Sequence, residues 1–187
     1  WNTLLTALQQ FKDDYAKNQP MWRVLPEFCQ KYPKYEQMGL ADLCQHIHAL
    51  YAKYDIARLT TEVYLSELTP AMKPSDAYAH IAHRTTERVE IDHLEGRITV
   101  GLVTPYPPGI PLLIPGEVFN RKIVDYLKFA REFNAQCPGF ETDIHGLLDE
   151  PTVATAPATP MVTNRIEALA MQVEVEHPTL APMLRQV

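Results

Sequence analysis

Ile98–Glu117 reads ITVGLVTPYPPGIPLLIPGE, and its two parts ask for opposite structures. Ile98–Val103 is the best strand candidate in the chain, a run of branched apolar residues interrupted by one glycine. Thr104–Glu117 then holds five of the 16 prolines and two of the seven glycines. Proline fixes φ and has no N–H to donate, so this part predicts neither a helix nor an interior strand. Tyr106 and Pro107 each precede a proline and are held extended, while Gly109 is free to turn. A rigid loop that presents Tyr106 at a fixed place follows. Two roles fit such a loop: a buried connection capping a sheet edge, or a wall of a binding site.

Upstream of this stretch the pattern is helical. Leu4, Leu5, Leu8, Phe11 and Tyr15 recur at helical spacing behind Asn2, a candidate cap. Pro20, Pro26 and Pro33 cut the next segment into short pieces, with a turn or two of helix over Pro26–Lys31. Leu40–Tyr54 is a clear amphipathic helix with Leu40, Leu43, Ile47, Leu50, Tyr51 and Tyr54 on one side. Helices are also expected over Ala57–Leu68 and, capped by Ser75, through about Arg84. From Glu87 the character changes: Val89 and Ile91 alternate with charges and Glu95-Gly96 marks a turn. Beyond the proline segment, Lys122–Phe133 reads as a helix with Ile123, Leu127, Ala130 and Phe133 inward. The sum is an α+β domain, N-terminal helices followed by a small, mainly antiparallel sheet with a packed helix. Its boundary is expected at 148. Residues 149–164 are rich in Ala, Thr and Pro and have the composition of a removable linker, and 165–187 form a tail with a possible short helix over Arg165–Val175.

At 187 residues, one domain with an appendage is expected. The net charge is −6 with no basic cluster, which argues against a nucleic-acid partner and suits attraction of a cationic ligand. No apolar run reaches membrane-spanning length and no leader pattern is visible, so no membrane partner is expected. Cys29, Cys44 and Cys137 are odd in number and lack metal-ligand spacing; they read as reduced, mostly buried thiols of a cytoplasmic protein. Trp1 rather than Met opens the sequence, from which a segment of a longer or processed protein is expected.

Self-contained chemistry is hard to find. There is no glycine-rich phosphate loop, GxSxG or HExxH, and the two serines, Ser66 and Ser75, sit where helix boundaries explain them. His46 and His48 point apart on one helix, and His80 and His83 have no third ligand beside them, so no metal is expected. The best polar candidate is Glu141–Gly146, ETDIHG. In an extended segment Glu141, Asp143 and His145 face one side, where two carboxylates and an imidazole suit acid–base work or a cation. The same alternation equally fits an exposed edge strand, or a histidine bonded to its neighbouring carboxylate.

Taken together, TPYPPGIPLLIPGE and PGFETDIHG resemble the C-terminal domain of the bacterial ornithine/lysine/arginine decarboxylases. MGLADLCQHIHALY (Met38–Tyr51), ELTPAMKPSDAYAHI (Glu67–Ile81) and LEGRITV (Leu94–Val100) share that resemblance, which spans about Leu4 to Leu148. The family implies pyridoxal phosphate, of the aspartate-aminotransferase-like fold type, held by a lysine in a Ser-x-His-Lys motif and serving as the electron sink when CO2 leaves a basic amino acid. No such motif occurs here, since none of the eight lysines follows a histidine. The resemblance therefore implies an auxiliary domain, with no catalytic or cofactor residue of its own and inactive in isolation. It would pack on the pyridoxal-phosphate domain of the same protein, near the active-site entrance of a homodimer or higher oligomer. Substrate-channel candidates are Tyr106, Pro107, Pro108, Gly109, Glu117, Glu141, Asp143 and His145. The rigid loop would shape the channel, and the acidic residues would favour entry of a basic amino acid, lysine or arginine with ornithine as the further alternative, on the way to a polyamine-type amine. A non-catalytic binding or regulatory module of the same fold is the alternative.

Overall fold

The computed structural model describes residues 1–106, 108–147 and 152–157. Its α+β architecture is organised around one amphipathic helix near the C-terminal end. Among the described residues the helices run α1 (Asn2–Ala16), α2 (Met21–Val24), α3 (Pro26–Lys31), α4 (Leu40–Lys53), α5 (Ile56–Leu65), α6 (Pro74–Ala82) and α7 (Arg121–Gln136). The strands are β1 (Glu87–Glu90), β2 (Thr104–Tyr106), β3 (Asp143–His145) and β4 (Thr152–Thr155). α7 buries Ile123, Leu127, Ala130 and Phe133, the four positions its periodicity selects. Its N-terminus is capped by Asn120, whose Oδ1 accepts from the Ile123 N–H at 3.0 Å. The Asn120 amide also donates to the Ser66 hydroxyl at 2.9 Å and the Glu67 carbonyl at 3.2 Å. Those bonds hold Ser66 extended, so α5 stops at Leu65, short of the expected Leu68.

The core has two parts. The larger gathers Leu50, Leu59 and Val63 from α4 and α5 around α7, together with Ile91, Leu94, Val103, Leu113, Phe119 and Val153. The smaller joins Met21, Cys29 and Tyr35 to Leu40 and Leu43, and Ile47 packs against both. Tyr35 closes the smaller part by donating its hydroxyl to the Pro138 carbonyl at 2.9 Å, while its ring and that of Phe28 pack on Phe140. Burial, then the nearby Cys137 and Glu141, push the Tyr35 hydroxyl up to about 12.

α1 departs from expectation. Trp1 rather than Asn2 holds the cap position, without a side-chain bond, and none of the helix's residues is buried. α6 likewise opens on Pro74 with Lys73, not the expected Ser75, at the cap position, because proline suits a first helical turn.

The sheet is also rearranged. Ile98–Val103 does not form a continuous strand but makes single bridges, Ile98 to Val118, Thr99 to Thr155 and Val103 to Leu113. The ladder begins where prolines argued against one: β2 pairs antiparallel with β3, Pro105 opposite Ile144. A ladder only two strands wide asks for no second row of N–H donors, so Pro105 is tolerated. Its carbonyl is used by the Gly109 N–H at 2.9 Å.

β4 corrects the linker. Trp1–Ala156 is one compact unit, so the domain runs past the expected boundary at 148. Within 149–164, Thr152–Thr155 pairs antiparallel with β1 in the register Glu87–Thr155 to Glu90–Thr152, and Val153, Thr155 and Ala156 are buried. Arg97 clamps this edge, donating to Thr155 Oγ1 at 3.0 Å and the Ala156 carbonyl at 3.3 Å while pairing with Glu87. The helix expected over 165–175 lies outside the described residues.

Ion pairs fasten the helices to their neighbours. Asp92, in the turn after β1, accepts from Arg131 of α7 at 2.8 and 3.2 Å, with Lys128 at 3.4 Å. The Arg131 hydrogen bonds are the main reason the Asp92 carboxyl sits below its ordinary range. A folded-state value below the unfolded one gives stabilisation that is complete above about pH 4 and lost as pH falls through the folded value. Asp92→Asn is therefore expected to lower the urea midpoint at pH 7, with the gap from wild type narrowing by pH 3. A gap that does not change with pH would assign the loss to something other than this pair.

Candidate functional site

The β2–β3 ladder sets the geometry of the candidate site. Its register places Tyr106 opposite Asp143 and Thr104 opposite His145. Ile144 points into the core, and strand alternation therefore turns Asp143 and His145 outward together. His145 Nε2 lies 3.7 Å from Asp143 Oδ2. The Tyr106 ring meets the His145 ring edge-on, with centroids 6.4 Å apart.

Gly109 completes the cluster. It turns the chain at φ +83, and a Cβ built there would lie 3.4 Å from Tyr106 Cδ2, so the tyrosine ring rests beside the turn. Tyr106 nevertheless keeps 60% of its surface exposed, and Leu102, Ile110 and Ile114 of the same stretch of chain are exposed as well. Pro108 is exposed next to the turn, and Pro107 lies outside the described residues.

The remaining candidates are placed elsewhere. Glu117 braces the loop from within, its Oε2 accepting from the Ile114 N–H at 2.8 Å. Glu141 precedes β3 and sits close enough to Tyr35 to contribute to that hydroxyl's raised pKa. Tyr106, Gly109, Asp143 and His145 thus form one exposed cluster, in which a carboxylate and an aromatic ring offer a cation both charge and a π face.

One contributor to this geometry was not singled out from the sequence. Gly146 ends β3 at φ +97, and a Cβ there would lie 2.2 Å from the Leu102 carbonyl oxygen. That close approach holds β3 against the start of the proline loop. The glycine itself, at the end of ETDIHG, was the available signal.

Pyridoxal phosphate needs a lysine amine for its imine and donors for its phosphate. A cleft of about 230 Å³ between α5 and α7 is lined by Lys53, Arg58, Lys122 and Lys128. Each is already paired: Lys53 with Glu132 at 2.6 Å, Arg58 with Asp55 at 2.9 Å, Lys122 with Glu62, and Lys128 with Asp92 at 3.4 Å. These residues do not fit the cofactor, and the exposed cluster carries no lysine. No helix among the described residues is long and apolar enough to cross a membrane.

A family model described as "Orn/Lys/Arg decarboxylase, C-terminal domain" matches residues 57–170, more than half of the chain. Lysine decarboxylase LdcA of Pseudomonas aeruginosa is 44% identical over 151 residues, covering 79% of this chain and 20% of that protein. The inducible lysine decarboxylase of Escherichia coli K12 is 36% identical over 148 residues, 77% of this chain and 21% of that protein. Among solved structures, lysine decarboxylase A from Pseudomonas aeruginosa superposes with a TM-score of 0.75 at 42% identity, over 83% of this chain and 22% of that one. The constitutive lysine decarboxylase of E. coli gives 0.72 at 32% identity, over 82% and 23%. The chain spans about a fifth of the length of these curated relatives.

Proposed function

The chain belongs to the Orn/Lys/Arg decarboxylase family, and from that premise we propose that it is the C-terminal domain of a basic amino acid decarboxylase acting on lysine. The enzyme releases the α-carboxylate as CO2 and works in the cytoplasm as a homodimer or larger oligomer. Lysine is favoured because the relative named above at 44% identity is a lysine decarboxylase, against 36% for a biodegradative arginine decarboxylase and 33% for a constitutive ornithine decarboxylase. Pyridoxal phosphate, bound by the rest of the enzyme, supplies the electron sink. The 187-residue chain alone neither binds it nor releases CO2.

This domain orients and admits substrate. The observation that carries the reading is the Tyr106–Gly109–Asp143–His145 cluster, held on a rigid ladder yet open to solvent. Asp143 and the Tyr106 ring draw the cationic side chain toward the entrance, and the proline loop fixes the wall at low entropic cost.

The test uses the full-length subunit with pyridoxal phosphate, assayed for CO2 release from lysine, arginine and ornithine. Replacing Pro107 and Pro108 together by Ala frees the loop at a cost of about 1 kcal/mol or somewhat less per position. A several-fold fall in kcat/KM is expected, with a smaller change in the stability of the cofactor domain. Unchanged kinetics with a lowered thermal midpoint would reduce the loop to a structural strap. No release of CO2 from any of the three amino acids would favour a regulatory module.

A further inference from the structure

We propose that α1 is an anchoring helix whose apolar stripe is covered by the remaining, cofactor-binding portion of the decarboxylase subunit. Trp1, Leu4, Leu8, Phe11 and Tyr15 follow one another at alternating spacings of three and four residues, a single continuous stripe. Leu4, Leu8 and Phe11 each expose more than half of their surface, at 54, 57 and 52%, and no residue of the helix is buried. A helix of this length is marginal in water unless an apolar face is packed, so this stripe calls for a cover.

The helix is nevertheless fixed in direction. Asn18, just beyond its end, accepts from the Ala41 N–H at 2.9 Å and donates to Asp42 at 2.9 Å, satisfying the first turn of α4. α1 is therefore latched to the domain by its C-terminal end and held with its stripe outward.

Two observations select the occupant, and the choice rests on the decarboxylase reading above. The C-terminal-domain model begins at residue 57, leaving α1 outside the matched domain, while the relatives are about five times longer than their aligned segments.

Hydrogen exchange on the full-length subunit and on the 187-residue chain tests this. The α1 amides are expected to exchange at least ~100-fold more slowly in the subunit than in the chain alone, which should sediment as a monomer. The triple variant L4Q/L8Q/F11Q is expected to abolish that protection while the β1–β4 amides stay protected. Retention of the β1–β4 signal separates lost docking from misfolding.

Equal, fast exchange of α1 in both proteins would overturn the proposal. So would a dimer of the 187-residue chain that the triple variant dissociates. Protection already present in that chain and lost on truncation after Ala156 would assign the stripe to residues 157–187 and overturn it too. None of these readouts depends on substrate turnover, so the proline-loop kinetics can fail while this result stands.

Discussion

Val153→Asp is expected to destabilise the domain by about 4 kcal/mol or more, enough to unfold much of it at room temperature. Val153 is 1% exposed, pairs with Val89 across the ladder and bridges Leu147. A carboxylate there has no cation opposite it, so the full cost of removing charge from water would be felt. Val153→Ala, which removes about two carbons, should cost about 2 kcal/mol. Urea midpoints at pH 7 separate these variants from Arg88→Ala, at an exposed position of β1, which should stay within about 0.5 kcal/mol of wild type. An aspartate variant as stable as the Arg88 control would show that Thr152–Thr155 is the dispensable linker its composition resembles.

Gly146→Ala should cost roughly 2–5 kcal/mol, combining left-handed backbone strain with an overpacked contact. The added methyl would meet the Leu102 carbonyl oxygen at 2.2 Å and the Val103 Cα at 3.3 Å, and both are backbone atoms that cannot rotate away. Gly96 supplies the control: its φ is +80, but nothing lies within 4 Å of a Cβ there. Gly96→Ala carries the backbone term alone, about 1–2 kcal/mol. Equal thermal shifts for the two variants would mean that the approach of β3 to Leu102 contributes nothing. On the proposed channel role of Asp143 and His145, Gly146→Ala in the full-length subunit should also raise KM for lysine, because β3 carries both residues.

The difference between these glycines shows where sequence reading loses information. Helices that bury a face were legible: α7 buries all four residues its spacing selected, and α4 buries Leu40, Leu43 and Leu50 with Ile47 and Tyr54 half-buried, leaving Tyr51 exposed. α1 has equally good periodicity, yet a period identifies an apolar face and not what covers it. β4 was hidden by averaging, since Ala and Pro around it gave linker composition, while the alternation of burial through Thr152–Thr155 belongs to a strand. Pro105 misled in the other direction, because its lack of an N–H matters only where a second neighbour asks for one.

The candidate site divides in the same way. Asp143 and His145 share a face because they are two residues apart on a strand, which is a local rule. Glu141 lies just before the strand, so the alternation expected of it starts only at Asp143, and Glu117, outside ETDIHG, is taken up by its own turn at Ile114. The tie between Tyr35 and Pro138 spans 103 residues, beyond the reach of any periodicity.

The pairing of β1 with β4 also sets an order of events during synthesis. Glu87 and Thr155 stand 68 residues apart. At roughly 5–20 residues per second, a ribosome needs about 3–14 s to make the partner after β1 has been polymerised. Through that interval β1 offers an open hydrogen-bonding edge, and Val89 lacks the valine that will face it. Of its four residues three are charged, Glu87, Arg88 and Glu90, which discourages pairing with a stray strand while the nascent chain waits.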